Sequence, residues 1–172
     1  MRLLPDRSAP CHEDIMQREV AEYMANRRFA VGSSWNQTWV NPKVYREVSV
    51  RQIGRISDVV VVITDRKVVN IECKMSSYEE VYKQALDHLS WADYSYICLF
   101  ADTYLPAYML DKMINNGIGL LLWRKGIIVE ALQSGYNKRK DKQIRQVVME
   151  KLKKMDSIKT AESENLQQGQ IW

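Results

Sequence analysis

Three cysteines in 172 residues, Cys11, Cys73 and Cys98, are odd in number and include no CxxC pair. They support neither a disulfide frame nor a zinc site, and reduced thiols in a cytoplasmic compartment are expected. No uncharged apolar run approaches the roughly 20 residues of a membrane helix, so no membrane partner is expected. The opening MRLLPDRSAP has two arginines but no apolar stretch behind them, which argues against a signal peptide. The only histidines, His12 and His88, stand far apart without ligand-like neighbours and read as exposed or satisfied side chains. GxSxG, GxxxxGK[ST] and HExxH are all absent, which weighs against serine-hydrolase, nucleotidase and zincin chemistry. Internal repeats and low-complexity blocks are missing as well.

What is present is an ordinary globular composition, 46% hydrophobic and 27% charged with a net charge of +4. That suffices for one domain with a substantial core and excludes disorder throughout. The charge is segregated. Residues 1–137 hold 16 basic and 16 acidic side chains, whereas residues 138–154 hold eight basic and two acidic. A basic segment of this kind suits an anionic partner such as nucleic acid; a helix with a solvated cationic face is the plainer alternative.

The pattern predicts an amphipathic helix over 12–28, a short apolar run at 29–31 and a loop carrying Trp35 and Trp39. Strands follow at 44–51, 57–64 and 68–75. The run SDVVVVIT is too continuously apolar for a strand wet on one face, so it should be buried on both. Residues 78–92 form a helix with Ser77 as the expected N-cap. A strand over 94–101, a helix over 106–116 closed by Asn116-Gly117, a hairpin of 118–123 with 127–132, and a basic helix over 139–155 complete the order. The expected architecture is α/β: a mixed central sheet flanked by helices, with a basic C-terminal helix. The expected organisation is a domain over 12–135, a basic helical extension over 136–156 and a mobile tail over 157–172.

Three charged side chains interrupt the apolar strands. Asp58 opens a strand that otherwise wants only Val and Ile, and Glu72 and Lys74 leave one face of the next. Desolvating such groups without partners costs several kcal/mol, and a metal ion would partner the carboxylates. All three have even numbers, so in an antiparallel pair they share a face only if partner numbers sum to an even total. A three-residue loop, Asp65-Arg66-Lys67, meets this condition with Thr64 opposite Val68 and Asp58 opposite Lys74. A two-residue loop would set Asp58 beside Cys73 and abolish the site.

Two carboxylates and a lysine suit phosphodiester hydrolysis assisted by Mg²⁺ or Mn²⁺. At Ser57-Asp58 and Glu72-Cys73-Lys74, on adjacent strands followed by a helix, the chain resembles the PD-(D/E)xK nuclease superfamily. The layout of RRFAVGSS, RISDVVVVI and VNIECKMSS is similar to its Holliday-junction resolvase branch. The resemblance spans about residues 12–135 and implies a restriction-endonuclease-like fold. It implies that Asp58 and Glu72 ligate the metal, with the Cys73 carbonyl as a third ligand, and that Lys74 is catalytic. The family often carries an acid in its first helix, for which Glu19 fits best and Glu22 second, and a Gln or Lys in the helix after the motif, here Gln84. Ser57 replaces the usual proline, and the resolvase alignment sets Gln17 where the first-helix Glu falls.

The resulting expectation is a Mg²⁺-dependent DNA endonuclease. Arg51, Arg55, Lys138, Arg139, Lys140, Lys142 and Arg145 are the candidate phosphate contacts. A homodimer is compatible with two-fold symmetric cutting, although no interface is visible in the sequence. The alternatives are a catalytically silent nucleic-acid-binding or protein-interaction domain on the same scaffold, and an ion pair beside a helix that docks a protein. Trp35 and Trp39 either pack under their loop or stack on unpaired bases, packing being the ordinary role of large aromatics.

Overall fold

The chain runs α1 (His12–Ala25), β1 (Phe29–Ser33), β2 (Asn36–Val40), β3 (Lys43–Val50), β4 (Arg55–Thr64), β5 (Lys67–Lys74), α2 (Tyr78–His88), β6 (Tyr94–Phe100), α3 (Ala107–Asn116), β7 (Ile118–Arg124), β8 (Ile127–Leu132) and α4 (Lys142–Lys153). The computed structural model describes residues 12–158. β3 to β8 form one open mixed sheet in sequence order, while β1 and β2 pair only with each other. The β5–β6 and β6–β7 pairs are parallel, and the other sheet pairs are antiparallel. The expected α/β class, mixed sheet and basic C-terminal helix are what the chain forms.

Layering explains the pattern of β4. Its odd-numbered Val59, Val61 and Ile63 pack with Met16, Val20 and Met24 of α1, while Val60 packs with Val148 and Leu152 of α4. A strand covered on both faces has no wet side on which to alternate. Further along the sheet, Ile97, Leu99, Ile118 and Leu120 pack with Val81 and Ala85 of α2 and Met109 and Met113 of α3. No helix among the described residues is long and apolar enough to cross a membrane.

The stretch expected as a loop at 32–43 contains β2. Its Trp39 and Val40 suit a strand, and Gly32 enables the tight pairing. The φ of Gly32 is +116°, and a Cβ there would lie 2.2 Å from the Asn36 carbonyl oxygen. Neither tryptophan is packed: Trp35 is 96% exposed and Trp39 64%. The residue opposite Trp39 is Ala30 and that opposite Gln37 is Gly32, so the facing strand offers nothing large to pack against. Ser77 also departs from expectation. It precedes α2 in a left-handed conformation, φ 58°, and its side chain makes no cap bond.

The basic helix starts three residues later than expected because Asp141 caps it, accepting from the Gln143 and Ile144 amides at 2.8 and 3.1 Å. The segment before it is tied down by the Asn137 amide on the Asp93 carbonyl, 2.8 Å, and the Asp141 amide on the Ser90 carbonyl, 2.7 Å. Buried Asp93 is the anchor. Its carboxylate accepts from the Val68 amide at 2.8 Å and pairs with Lys140 at 2.8 Å and Arg145 at 2.7 Å. Two of the cations expected at phosphates therefore hold α4 to the sheet. The second residue of the segment expected to be mobile is packed: the Ile158 amide donates to the Val44 carbonyl at 2.8 Å. Residues 159–172 of that segment, and Cys11, lie outside the described residues.

Candidate active site

The β4–β5 pairing decides whether the three charged side chains meet. Thr64 pairs with Lys67, so the turn has two residues, the length that would have separated them. Ile63 corrects this. A bulge between Val62 and Thr64 absorbs one residue, and from Val62–Val68 to Val59–Ile71 the partner numbers sum to an even total. Continued one step, this register sets Asp58 beside Glu72, with Lys74 two residues beyond, rather than Asp58 opposite Lys74. The Cys73 amide donates to Asp58 Oδ2 at 2.7 Å, tying the first acid to the strand that carries the other two groups.

Asp58, Glu72, Cys73 and Lys74 line one cleft of about 670 Å³, together with Glu13, Glu47, Arg55 and Gln84. It opens where β4 begins and the parallel strand β5 ends, the carboxyl-terminal edge at which open α/β sheets bind ligands. Gln84 reaches it from α2, as expected. Cys73 contributes backbone, since its side chain is buried in the core with that of Cys98.

The acid from the first helix is Glu13. Its Oε1 lies 3.4 Å from Lys74 Nζ, and Glu80 approaches the same ammonium at 4.0 Å. Glu19 belongs elsewhere. Its Oε2 accepts from the Trp123 indole at 2.5 Å and the Gly126 amide at 2.6 Å, pinning the β7–β8 turn. Glu22 lies with Glu19 beside Gly126, away from the cleft. Helical periodicity contains the signal for Glu13, because it precedes buried Met16, Val20 and Met24 by three, seven and eleven residues on the sheet-facing stripe. Glu47 is a further acid that the sequence reading missed. The pairs Arg46–Val59 and Val48–Ser57 set it opposite Asp58, and its φ is 53°.

Four carboxylates thus share the cleft with two cations, Lys74 and Arg55, and Arg55 is also paired with Asp87 at 2.7 Å. Burial, aided by Glu13 and Glu47, pushes the Asp58 carboxyl up to about 6 against the pull of the Cys73 amide and Lys74. Burial and the neighbouring Asp58 hold Glu72 well above the ordinary carboxylate range, although Asn70 and the Asp58 amide favour its ionised form. Among the described residues, no three His, Cys, Asp or Glu side chains converge closely enough to hold a metal ion unaided.

The raised Asp58 predicts a measurable strain. Between the ordinary carboxylate range and pH 6 the folded chain keeps a proton that the unfolded chain has released, so the fold weakens as pH rises through that window. Once both states are ionised the cost is roughly 2–3 kcal/mol. Asp58→Asn, which retains an acceptor for the Cys73 amide, is therefore expected to be about 1–3 kcal/mol more stable than the parent in metal-free urea melts at pH 7.5. The gain should shrink as the pH falls towards 4.

The candidate phosphate contacts divide. Arg51, in the 3-10 turn Arg51–Ile53, and Lys138, Arg139 and Lys142 are exposed. Arg55 lines the cleft, and Lys140 and Arg145 are committed to Asp93. The tryptophan hairpin springs from the opposite end of the sheet, since Lys43 just after β2 pairs with Val62 near the end of β4. Neither tryptophan lines the cleft.

Comparison with known proteins gives no family: no family model matches the chain, and no curated protein matches it. Among solved structures it is similar to SPO1766, a protein of unknown function from Silicibacter pomeroyi, at 19% sequence identity and a TM-score of 0.49. The match covers 64% of this chain and 71% of that one.

Proposed function

We propose that the chain is a divalent-metal-dependent nuclease that hydrolyses DNA phosphodiester bonds. The observation that carries this reading is the convergence of Asp58, Glu72 and Lys74 in one cleft at the end of β4 and β5, with Glu13 against the lysine. The resemblance of Asp58 and Glu72-Cys73-Lys74 to the PD-(D/E)xK motif supports it, as does the excess of carboxylates over cations.

The donor set fits Mg²⁺ or Mn²⁺. Asp58, Glu72 and the Cys73 carbonyl are hard oxygen ligands, and two protein carboxylates leave most coordination positions to water and a substrate phosphate, as Mg²⁺ prefers. When bound, such a cation neutralises charge on the phosphate and acidifies water. The protein's own groups do the rest. Lys74 offers a mobile ammonium that can hold the attacking water or a non-bridging phosphate oxygen. Glu13 steers that ammonium. The Gln84 amide can orient the same water or phosphate. Arg55 at the rim, and Arg51, Lys138, Arg139 and Lys142 on the surface, supply sequence-independent attraction for the backbone.

Glu13 and Glu19 test the arrangement against the sequence expectation. Glu13→Gln is expected to slow Mg²⁺-dependent nicking of plasmid DNA about ten- to a hundredfold, the usual effect of losing a group that orients a metal-site residue. Glu19→Gln should lower thermal stability but leave nicking per folded molecule unchanged. The opposite ranking would contradict the assignment, and metal-independent binding without nicking by the unaltered protein would favour the catalytically silent alternative.

A further inference from the structure

Glu72 is 1% exposed and His88, at the end of α2, is fully buried. His88 Nε2 and Glu72 Oε1 lie 3.2 Å apart. Neither atom completes a well-directed hydrogen bond in this arrangement. The other ring nitrogen is occupied, because Nδ1 accepts from the Trp91 indole N–H at 2.9 Å. The two rings meet edge to face, centroids 5.5 Å apart at 86°.

An indole N–H can only donate, so Nδ1 must present its lone pair. A neutral imidazole then carries its single proton on Nε2, the ring nitrogen that lies 3.2 Å from Glu72 Oε1. Asn70 and the Asp58 amide favour the ionised form of the same carboxylate. Nothing in the mechanism above uses His88 or Trp91. Yet a carboxylate that must present an oxygen to a cation needs its plane fixed, and partners of this kind are how proteins fix it.

We propose that His88 is a positioning residue for the metal ligand Glu72: Trp91 selects its Nε2–H tautomer, and that N–H orients the carboxylate for the cation. The assignment rests on the reading of Glu72 as a ligand. His88 touches neither substrate nor metal.

The experiment is a Mn²⁺ titration followed by the paramagnetic signal of the free ion, without DNA. His88→Leu, its fold checked by circular dichroism, is expected to weaken Mn²⁺ binding at least tenfold. His88→Gln, which keeps an N–H near the position of Nε2, should recover most of the affinity. Trp91→Phe, which frees the tautomer, should fall between. A folded His88→Leu that binds Mn²⁺ like the parent would overturn the role of His88 while leaving the site intact. No Mn²⁺ uptake by the unaltered protein would overturn the metal reading and this inference together. Should His88→Leu fail to fold, nitrogen-15 spectra of the unaltered protein decide. With only two histidines to assign, a proton on Nε2 of His88 that shifts on adding Mg²⁺ is the expected result. An Nδ1–H tautomer would overturn the proposal.

Discussion

Replacing Asp58, Glu72 or Lys74 singly by alanine is expected to lower kcat/KM for Mg²⁺-dependent DNA cleavage by about 10³ or more, some 4 kcal/mol of transition-state stabilisation. The three losses should differ in kind. Asp58 and Glu72 are assigned to the cation, so their variants should bind it poorly and recover part of their activity at high metal concentration. Lys74 is assigned to the attacking water or the phosphate, so Lys74→Ala should bind metal normally and not recover. Steady-state nicking across a range of Mg²⁺ concentrations separates the two behaviours. Asp58→Ala also removes the acceptor of the Cys73 amide, so Asp58→Asn is the cleaner variant if alanine disturbs the β4–β5 register.

The second large effect is on stability. Asp93→Ala is expected to cost about 3–5 kcal/mol, because it removes the counter-charge of two largely buried cations, Lys140 and Arg145, and the acceptor of the Val68 amide. Urea unfolding measures this directly. The damage should be local in its consequences: α4 loses its anchor while Asp58 and Glu72 keep their own partners. Trypsin should therefore cut the variant near Lys138 and Arg139 much faster than the parent, ahead of cleavage in the sheet. A loss below 1 kcal/mol with unchanged proteolysis would mean that Val148 and Leu152, with the bonds of Arg145 and Lys151 to the Trp91, Asp65 and Ser49 carbonyls, hold the helix without the carboxylate.

The fold was legible because β4 is a continuous β-branched run, β6 and β7 are apolar runs, β3 alternates and the helices have apolar stripes, and these signals are local. The core of the site was legible for the same reason, since Glu72 and Lys74 share a face at any register. What could not be read was non-local. From the sequence, a three-residue turn is what brings Asp58 round to the face of Glu72 and Lys74. The chain instead forms a two-residue turn and a bulge at Ile63, and nothing in VVITDRKVV marks that residue as the one to absorb the shift. The resemblance points to Glu19 or Glu22, whereas Glu13 is marked only by its place on the Met16–Val20–Met24 stripe. Lys140 and Arg145 counted as free cations because their partner, Asp93, is some fifty residues away in sequence. The exposure of Trp35 and Trp39 follows from Gly32 and Ala30 across the hairpin, a pairing visible only once β2 is known to be a strand.

The most direct test of the central claim is calorimetric titration of Mn²⁺ into the metal-free protein at pH 7.5, beside Asp58→Asn. The account predicts saturable binding to the parent and at least tenfold weaker binding to the variant, even though the variant is the more stable fold. Equal binding by both, or no binding by the parent, would contradict it.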